Sequence, residues 1–204
     1  MTSTENLVLD PIPSAPGYLE AHPEWTPSWG PFLVLPRTDR GKSPRAITSR
    51  EGLSDRLRAA AFAEIQAYYA FLWAADRFED APAALKKNWR ELAAAEERHL
   101  NWLLRRMTEL GLEVRERGVS DWLWLSLIQC KTAREFSHFI ASSEERGRIA
   151  GERFHTALIE IDPMSAEIFR KIAEEEVEHI RLASKFFPDG SETGPLAEKL
   201  LTHS

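Results

Sequence analysis

The stretch Glu176-Val177-Glu178-His179 lies in a segment whose apolar residues, among them Ile172 and Ala183, recur at helical spacing. Glu176 and His179 fall on that same apolar stripe, and residues three apart share one face of a helix. A second copy of the pattern is the stretch Glu96-Glu97-Arg98-His99. Because polar groups on a buried face need partners, the two stretches together constrain both the fold and the function.

The composition predicts one domain of ordinary globular character. The chain has 204 residues, of which 43% are hydrophobic and 28% are charged. Its net charge of -6 argues against a general nucleic-acid-binding surface, since neutralising phosphates requires an excess of lysine and arginine. The single cysteine, Cys130, excludes an internal disulfide and a cysteine-rich metal site.

The sequence predicts a cytoplasmic protein that is not inserted in a membrane. The N-terminal stretch 1–7 has no basic region followed by an apolar one, so no secretory signal is visible. No apolar run approaches the roughly 18 residues that span a bilayer. One basic run is either a contact for an anionic partner or a solvated linker: Arg37, Arg40, Lys42, Arg45 and Arg50.

The two ends of the chain differ from its middle. Eight of the twelve prolines precede residue 45, so residues 1–46 are predicted to form an irregular, proline-rich arm. The aromatic residues of this arm suggest that it packs on the domain, although an oligomer contact, for example in a homodimer, is the alternative. Residues 188–204 are predicted to be a polar tail with one short helix over residues 195–201.

The middle, residues 47–187, predicts four long helices and no strands. The first is capped by Thr48 or Ser49, the second ends before Gly111, and the fourth starts with Asp162-Pro163. A capping box at Thr132 and Glu135 opens the third, after a short apolar helix that begins near Asp121. Short connections within each pair favour an all-α, antiparallel four-helix bundle.

Six polar side chains fall on the apolar stripes of these four helices. Each long helix supplies either a lone glutamate or a Glu-x-x-His pair, and the second set lies 80 positions after the first. The six residues are Glu64, Glu96 and His99, followed by Glu144, Glu176 and His179. This is the pattern of a duplicated helix pair that holds two metal ions between carboxylates in a bundle core.

Electrostatics supports a metal site. Four bare carboxylates in a core would each cost several kcal/mol to desolvate, whereas two divalent ions would make the cluster formally neutral. Oxygen and nitrogen ligands without sulfur suit iron and manganese. The sequence therefore predicts two iron ions, with manganese as the alternative at one or both positions.

Three further features have two interpretations. The Glu-x-x-His spacing also occurs at Glu135/His138 and Glu152/His155, which are interpreted as structural or as neighbours of the site. Tyr68 follows Glu64 by one turn and is the candidate catalytic residue, as a hydrogen-bond donor or redox group. The alternative for Tyr68 is a core tyrosine whose hydroxyl is satisfied.

The chain resembles an uncharacterised bacterial family of ferritin-like proteins, a domain of unknown function distantly related to the ferritin-like tRNA hydroxylases. The resemblance covers residues 30–187 and rests on six segments: Phe32-Leu-Val-Leu-Pro-Arg37, Ala63-Glu-Ile-Gln-Ala67, Asp80-Ala-Pro82, Glu96-Glu-Arg-His-Leu100, Glu144-Glu-Arg-Gly-Arg148 and Glu175-Glu-Val-Glu-His-Ile180. It implies a ferritin-like bundle and the same six metal ligands. Phe62 stands where the family typically has a histidine.

Three functions are consistent with the sequence. The first is an O2-dependent oxidoreductase or hydroxylase that acts on an organic substrate and needs an external electron donor. By the resemblance that substrate could be tRNA, which the net charge disfavours. The second is metal handling, namely iron oxidation, storage or peroxide removal. The third is a bundle whose polar core is purely structural.

Overall fold

The computed structural model describes residues 27–39 and 41–188, and within them the protein is all-helical. Five α-helices follow one another in this part: α1 (Arg50–Arg77), α2 (Ala83–Glu109), α3 (Trp122–Leu127), α4 (Ala133–Leu158) and α5 (Pro163–Phe186). None of them is both long and apolar enough to cross a membrane. The predicted all-α class is confirmed. The prediction of a short helix over residues 195–201 lies outside the described residues, as does the arm up to residue 26.

Local capping chemistry sets the ends of the long helices. Ser49 caps α1 by accepting a hydrogen bond from the Gly52 N–H, and Asp162 caps α5 by accepting one from Ser165. Thr132 does the same for α4 through the Glu135 N–H. At the end of α2, Gly111 has a φ of 60° and closes a Schellman motif, which explains why a glycine stops the helix there.

The long helices pack as two pairs. α1 lies along α2 and α4 lies along α5, with only residues 78–82 and 159–162 connecting the members of each pair. The pairs meet through contacts of α2 with α5 and of α1 with α4. A hydrogen bond from the Ala133 N–H to Asp80 joins the first connection to the start of α4. Each long helix therefore presents one face to the centre of the molecule.

Residues 27–39 pack against α1. The Trp29 and Phe32 rings contact Phe62, with centroid separations of 5.4 and 5.0 Å. Leu35 donates its N–H to the Val119 carbonyl at 2.8 Å, beside the one isolated β-bridge found in residues 27–39 and 41–188. Side-chain packing on α1 and backbone hydrogen bonding to the loop after α2 therefore both fix the position of this segment.

A buried ion-pair network ties the residues before α1 to the loop after α2. Asp55 accepts from Arg45 at 2.7 Å, from Arg58 at 3.2 Å and from Arg117 at 2.6 Å. Arg58 is 2% exposed and also reaches Glu116 at 3.1 Å. Burial would raise the pKa of Asp55, but the surrounding arginines outweigh it and hold that pKa far below its usual range.

Two arginines of the basic run therefore have internal partners. Arg45 belongs to the network around Asp55, and Arg50 donates to the backbone carbonyls of Leu110 and Gly111. These two residues serve the fold, whereas the interpretation of the run as a contact for an anionic partner stays a prediction for the rest of it.

Replacing Asp55 with asparagine should destabilise the fold by about 3–5 kcal/mol, because it removes the buried carboxylate that Arg45, Arg58 and Arg117 share. The matched control is Asp76→Asn, which breaks an exposed pair with Arg90 and should change stability by less than about 1 kcal/mol. Since the pKa of Asp55 is depressed, its contribution is present above its unfolded pKa and is lost as the pH falls through the folded one. Urea unfolding of both variants at neutral pH measures the difference, and equal effects would contradict this role of the network.

Candidate metal centre

The structure brings the six predicted side chains together between the two helix pairs. Each of the four long helices contributes from its inward face, and every one of the six residues is at most 9% exposed. α1 supplies Glu64, α2 supplies Glu96 and His99, α4 supplies Glu144, and α5 supplies Glu176 and His179. Placing four carboxylates and two imidazoles in one core is costly unless they compensate one another or bind cations.

The six side chains form two overlapping groups. One group is Glu64, Glu96, His99 and Glu176, and the other is Glu96, Glu144, Glu176 and His179; within each, one ligand atom per residue lies within 4.8 Å of the others. Glu96 and Glu176 belong to both groups. Each group is therefore completed by one histidine and one glutamate of its own, and the two groups are joined by two shared carboxylates.

Both histidines present Nδ1 to the carboxylates. Nδ1 of His179 lies 2.9 Å from Glu96 and 3.1 Å from Glu176. Nδ1 of His99 lies 3.4 Å from both Glu64 and Glu176. The two rings are nearly parallel, 18° apart, with centroids separated by 5.9 Å. The imidazoles thus stand side by side along one side of the carboxylate cluster.

Glu175 fixes the orientation of His99, and sequence reasoning missed it. Nε2 of His99 lies 3.0 Å from the Glu175 carboxylate, which also accepts from Arg98. With Nε2 as the donor, Nδ1 of a neutral His99 has its lone pair free for a cation, a common arrangement for metal-binding histidines. Glu175 lies off the apolar stripe among other glutamates, so helical periodicity gives no signal for it.

The strongest indication of a metal is a set of buried atoms that lack hydrogen bonds. Both carboxylate oxygens of Glu96 and of Glu176, and Nδ1 of His99 and of His179, have no hydrogen-bond partner within the described residues. The close approaches among these atoms lack hydrogen-bonding geometry. Unsatisfied buried polar atoms are rare in native proteins, and these six face one another. The donor set therefore fits divalent metal ions.

Burial and mutual repulsion separate the four carboxyl groups into two kinds. Burial raises the pKa of Glu64 and Glu144 well above the ordinary value, and at Glu144 repulsion from Glu176 and Glu96 adds to it. At Glu96 and Glu176 burial acts in the same direction, but contacts with His179 and the other neighbours outweigh it and lower the pKa. Negative charge is thus favoured on the two shared carboxylates and disfavoured on the outer two.

The imidazoles complete this charge balance. Burial disfavours a charged His179, but the carboxylates of Glu176 and Glu96 outweigh it and raise the pKa of His179 to about 10. At His99 the opposing burial is likewise outweighed, by Glu176, Glu64 and Glu96, and its pKa is raised as well. In the metal-free cluster two imidazolium groups would offset the two shared carboxylates, whereas two divalent ions would offset all four carboxylates.

The other predicted candidates lie elsewhere. Tyr68 is half-buried against Tyr69, and burial together with repulsion from Glu97 raises the pKa of Tyr68 to about 12. The Glu135 carboxylate accepts the Lys131 N–H. Neither residue belongs to the two metal-binding groups found in the described chain. The catalytic role of Tyr68 stays a prediction.

Glu152 and His155, which form the second extra pair, and His138 of the first pair all make contacts outside the cluster. Glu152 accepts from Arg148, and Nδ1 of His155 lies 3.2 Å from the Ala166 carbonyl. His138 lies beside Phe187. The contacts of Glu135, Glu152 and His155 support the structural interpretation of these residues, whereas the buried Nε2 of His138 has no hydrogen-bond partner among the described residues.

A cavity of about 270 Å³ reaches the cluster from one side. It lies between α1, α4 and α5, and the cluster residues that line it are Glu64, Glu144 and Glu176. Among the described residues, 27–39 and 41–188, His99 and His179 do not line the cavity. A small molecule entering the cavity would therefore approach the carboxylate side of the site.

Alanine substitutions should separate shared from unshared ligands. Glu96→Ala or Glu176→Ala should abolish binding of both metals, because each residue belongs to both groups, whereas Glu64→Ala or Glu144→Ala should weaken mainly one. The control is Glu178→Ala on α5, whose carboxylate is exposed and pairs with Arg181. Elemental analysis after iron loading and gel filtration gives metals per chain, about two in the wild type. Equal losses in all five variants would contradict the assignment.

Metal affinity should rise with pH across the neutral range. Glu64, Glu144, His99 and His179 carry raised pKa values, so protons compete with a metal ion at each of these groups. Full loading should release up to about four protons per chain near neutral pH. Calorimetric titration in two buffers with different ionisation enthalpies measures this release. Affinity that does not change between about pH 6 and pH 8 would contradict the charge balance described above.

Comparison with known proteins gives a family without an assigned role. No curated protein and no solved structure matched the chain. A family model described as "Protein of unknown function (DUF455)" matches residues 10–196, which is most of the chain and includes all six cluster residues. The chain therefore belongs to this uncharacterised DUF455 family.

Proposed function

We propose that the protein is a non-haem di-metal carboxylate oxidoreductase built on a ferritin-like, antiparallel four-helix bundle. The observation that carries the proposal is the pair of buried glutamate–histidine groups that share Glu96 and Glu176 and whose inner atoms lack hydrogen bonds. The pairing of α1 with α2 and of α4 with α5 through short connections supports the bundle topology. The remote kinship with ferritin-like tRNA hydroxylases that the sequence suggests is part of the same proposal.

The proposed cofactor is a pair of iron ions, with manganese as the alternative at one or both positions. Carboxylate and imidazole donors suit both metals, and the four glutamates offset the charge of two divalent ions. Glu64 and His99 would complete one metal position, Glu144 and His179 the other, with Glu96 and Glu176 between them. When bound, the metals would supply Lewis acidity and the electrons for reduction of O2.

The protein's own residues would hold this cofactor and control access to it. Glu175 keeps Nδ1 of His99 directed at the cluster, and the packed helices exclude bulk water from Glu96, which is fully buried. The cavity leaves one side open, beside Glu64 and Glu144. Substrate and O2 would therefore meet the cofactor on its carboxylate side, away from the imidazoles.

The reaction that we propose is O2-dependent hydroxylation of a small organic substrate. One oxygen atom would enter a C–H bond, and the other would leave as water after taking up two electrons and two protons from an external donor. A cavity beside the cluster supports an organic substrate over iron storage, which needs no such space. A tRNA substrate stays a prediction from the resemblance, and the proposed role of Tyr68 as a donor or redox group would be tested by Tyr68→Phe.

Iron stoichiometry separates the proposed enzyme from an iron-storage protein. Protein loaded anaerobically with Fe²⁺ and then mixed with O2 should oxidise about two iron ions per chain and stop, because the proposed site holds no more. Storage would instead continue with each addition of Fe²⁺ and deposit ferric mineral. Stopped-flow absorbance follows the oxidation, with Glu96→Ala as the inactive control, and a wild type that continues oxidising iron into mineral would overturn the oxidoreductase proposal.

A further inference from the structure

The cavity beside the carboxylates is built mainly from small and apolar side chains. α1 contributes Ala63 and Ala67, α4 contributes Gly147 and Ala150, and α5 contributes Phe169. The volume of about 270 Å³ lies just below the range of roughly 300–1,000 Å³ typical of drug-sized ligands. The space therefore suits one small molecule with an apolar body.

Two glycines of α4 have different roles in this wall. A Cβ on Gly151 would lie 3.2 Å from the Phe169 carbonyl oxygen, so Gly151 lets α4 and α5 approach closely. A Cβ on Gly147 would have no heavy atom within 4 Å. Glycine is unfavourable inside a helix, so Gly147 lowers the stability of α4. The packing of the neighbouring helices does not require a glycine at this position. What it leaves is open space in the cavity.

The cavity also contains a cation that forms no ion pair with the residues that the structure describes. Arg56 of α1 lines it, and its guanidinium lies over the Phe154 ring at 5.7 Å. Nη1 of Arg56 is buried and has no hydrogen-bond partner in the part of the chain that the structure describes. By contrast, Arg58 of α1 and Arg148 of α4 both pair with carboxylates. Arg56 as a whole is partly exposed, but its buried N–H donor without a partner is unfavourable, and an anion in the cavity would satisfy it.

The charges in the cavity are arranged by position along α1. Arg56 and Glu64 are eight residues apart, which places them roughly 12 Å apart along the helix axis. One end of the cavity is therefore cationic, and the other ends at Glu64, Glu144 and Glu176. A ligand with one anionic group and an apolar body would orient with its acid at Arg56 and its far end at the cluster.

We propose that this cavity binds a small, apolar monocarboxylic acid, whose carboxylate pairs with Arg56 and whose distal carbon atoms lie beside Glu64 and Glu144. The inference rests on the proposed function, for which it names the substrate class. Arg56 acts as the specificity residue, because its charge raises the affinity for an acid above that for a neutral molecule of the same shape. The alanine and glycine wall selects for an unbranched or slender body.

Calorimetric titration of the iron-loaded full chain with octanoate, and with the neutral octanamide as matched ligand, tests the proposal. The wild type should bind octanoate about tenfold or more tightly than octanamide, since a hydrogen-bonded charged group contributes about 1.5–3 kcal/mol. Arg56→Gln should remove that preference, while the control Arg153→Gln, at an exposed position of α4, should keep it. Equal affinity of the wild type for both ligands, or no binding of either, would overturn the inference.

A second pair of variants tests the location independently of Arg56. Gly147→Phe should fill the cavity and abolish binding of both ligands, whereas Gly147→Ala should retain binding. If Gly147→Phe and Gly147→Ala bound octanoate equally, the ligand would lie elsewhere and the inference would be overturned. The same conclusion would follow if tRNA displaced bound octanoate and other small acids did not. Metal content is measured on the same samples: a wild type without metal refutes the proposed function, whereas a metal-loaded wild type without acid preference refutes only the inference.

Discussion

The structure depends on one electrostatic constraint, namely that four glutamates share one buried core. Glu96 is fully buried, Glu176 is 3% exposed, and Glu64 and Glu144 are 9% exposed. Such groups cannot all be ionised together without cations between them. Protons on the outer carboxyls and the imidazoles would satisfy this condition in one state, and two divalent metals would satisfy it in another. Either way, the four long helices must keep the same six side chains facing inward.

The cluster has two chemically different sides. On one, the stacked imidazoles of His99 and His179 lie against the protein, and Glu175 holds His99 from the surface. On the other, Glu64 and Glu144 border the cavity that contains Arg56. The two sides therefore have different proposed roles. The histidine side would retain the metal ions, and the carboxylate side would receive O2 and substrate. Binding energy from the acid at Arg56 would then position the distant reacting carbon.

Much of the fold and of the cluster could be predicted from the sequence, because both depend on periodicity. Ser49, Thr132 and Asp162 cap their helices as local rules require. The inward positions of the six polar side chains follow from the 3.6-residue repeat together with the common offset of 80 residues. A buried glutamate on an apolar stripe is detectable because it violates the pattern around it.

Features that arise between helices could not be predicted in this way. Glu175 lies off the stripe, and only the packing of α2 against α5 brings it to His99. The cavity is defined by missing side chains, and Gly147 differs from Gly151 only in what the neighbouring helix places beside it. The buried network around Asp55 joins segments more than sixty residues apart in the sequence, which no local pattern encodes.

Anomalous X-ray diffraction from crystals of the iron-loaded protein, recorded on both sides of the iron absorption edge, tests the central claim most directly. The account predicts two anomalous peaks about 3.5–4 Å apart, with Glu96 and Glu176 contacting both and one histidine contacting each. Peaks confined to the protein surface, or a cluster whose six side chains are joined by water or by one another in metal-saturated crystals, would contradict it.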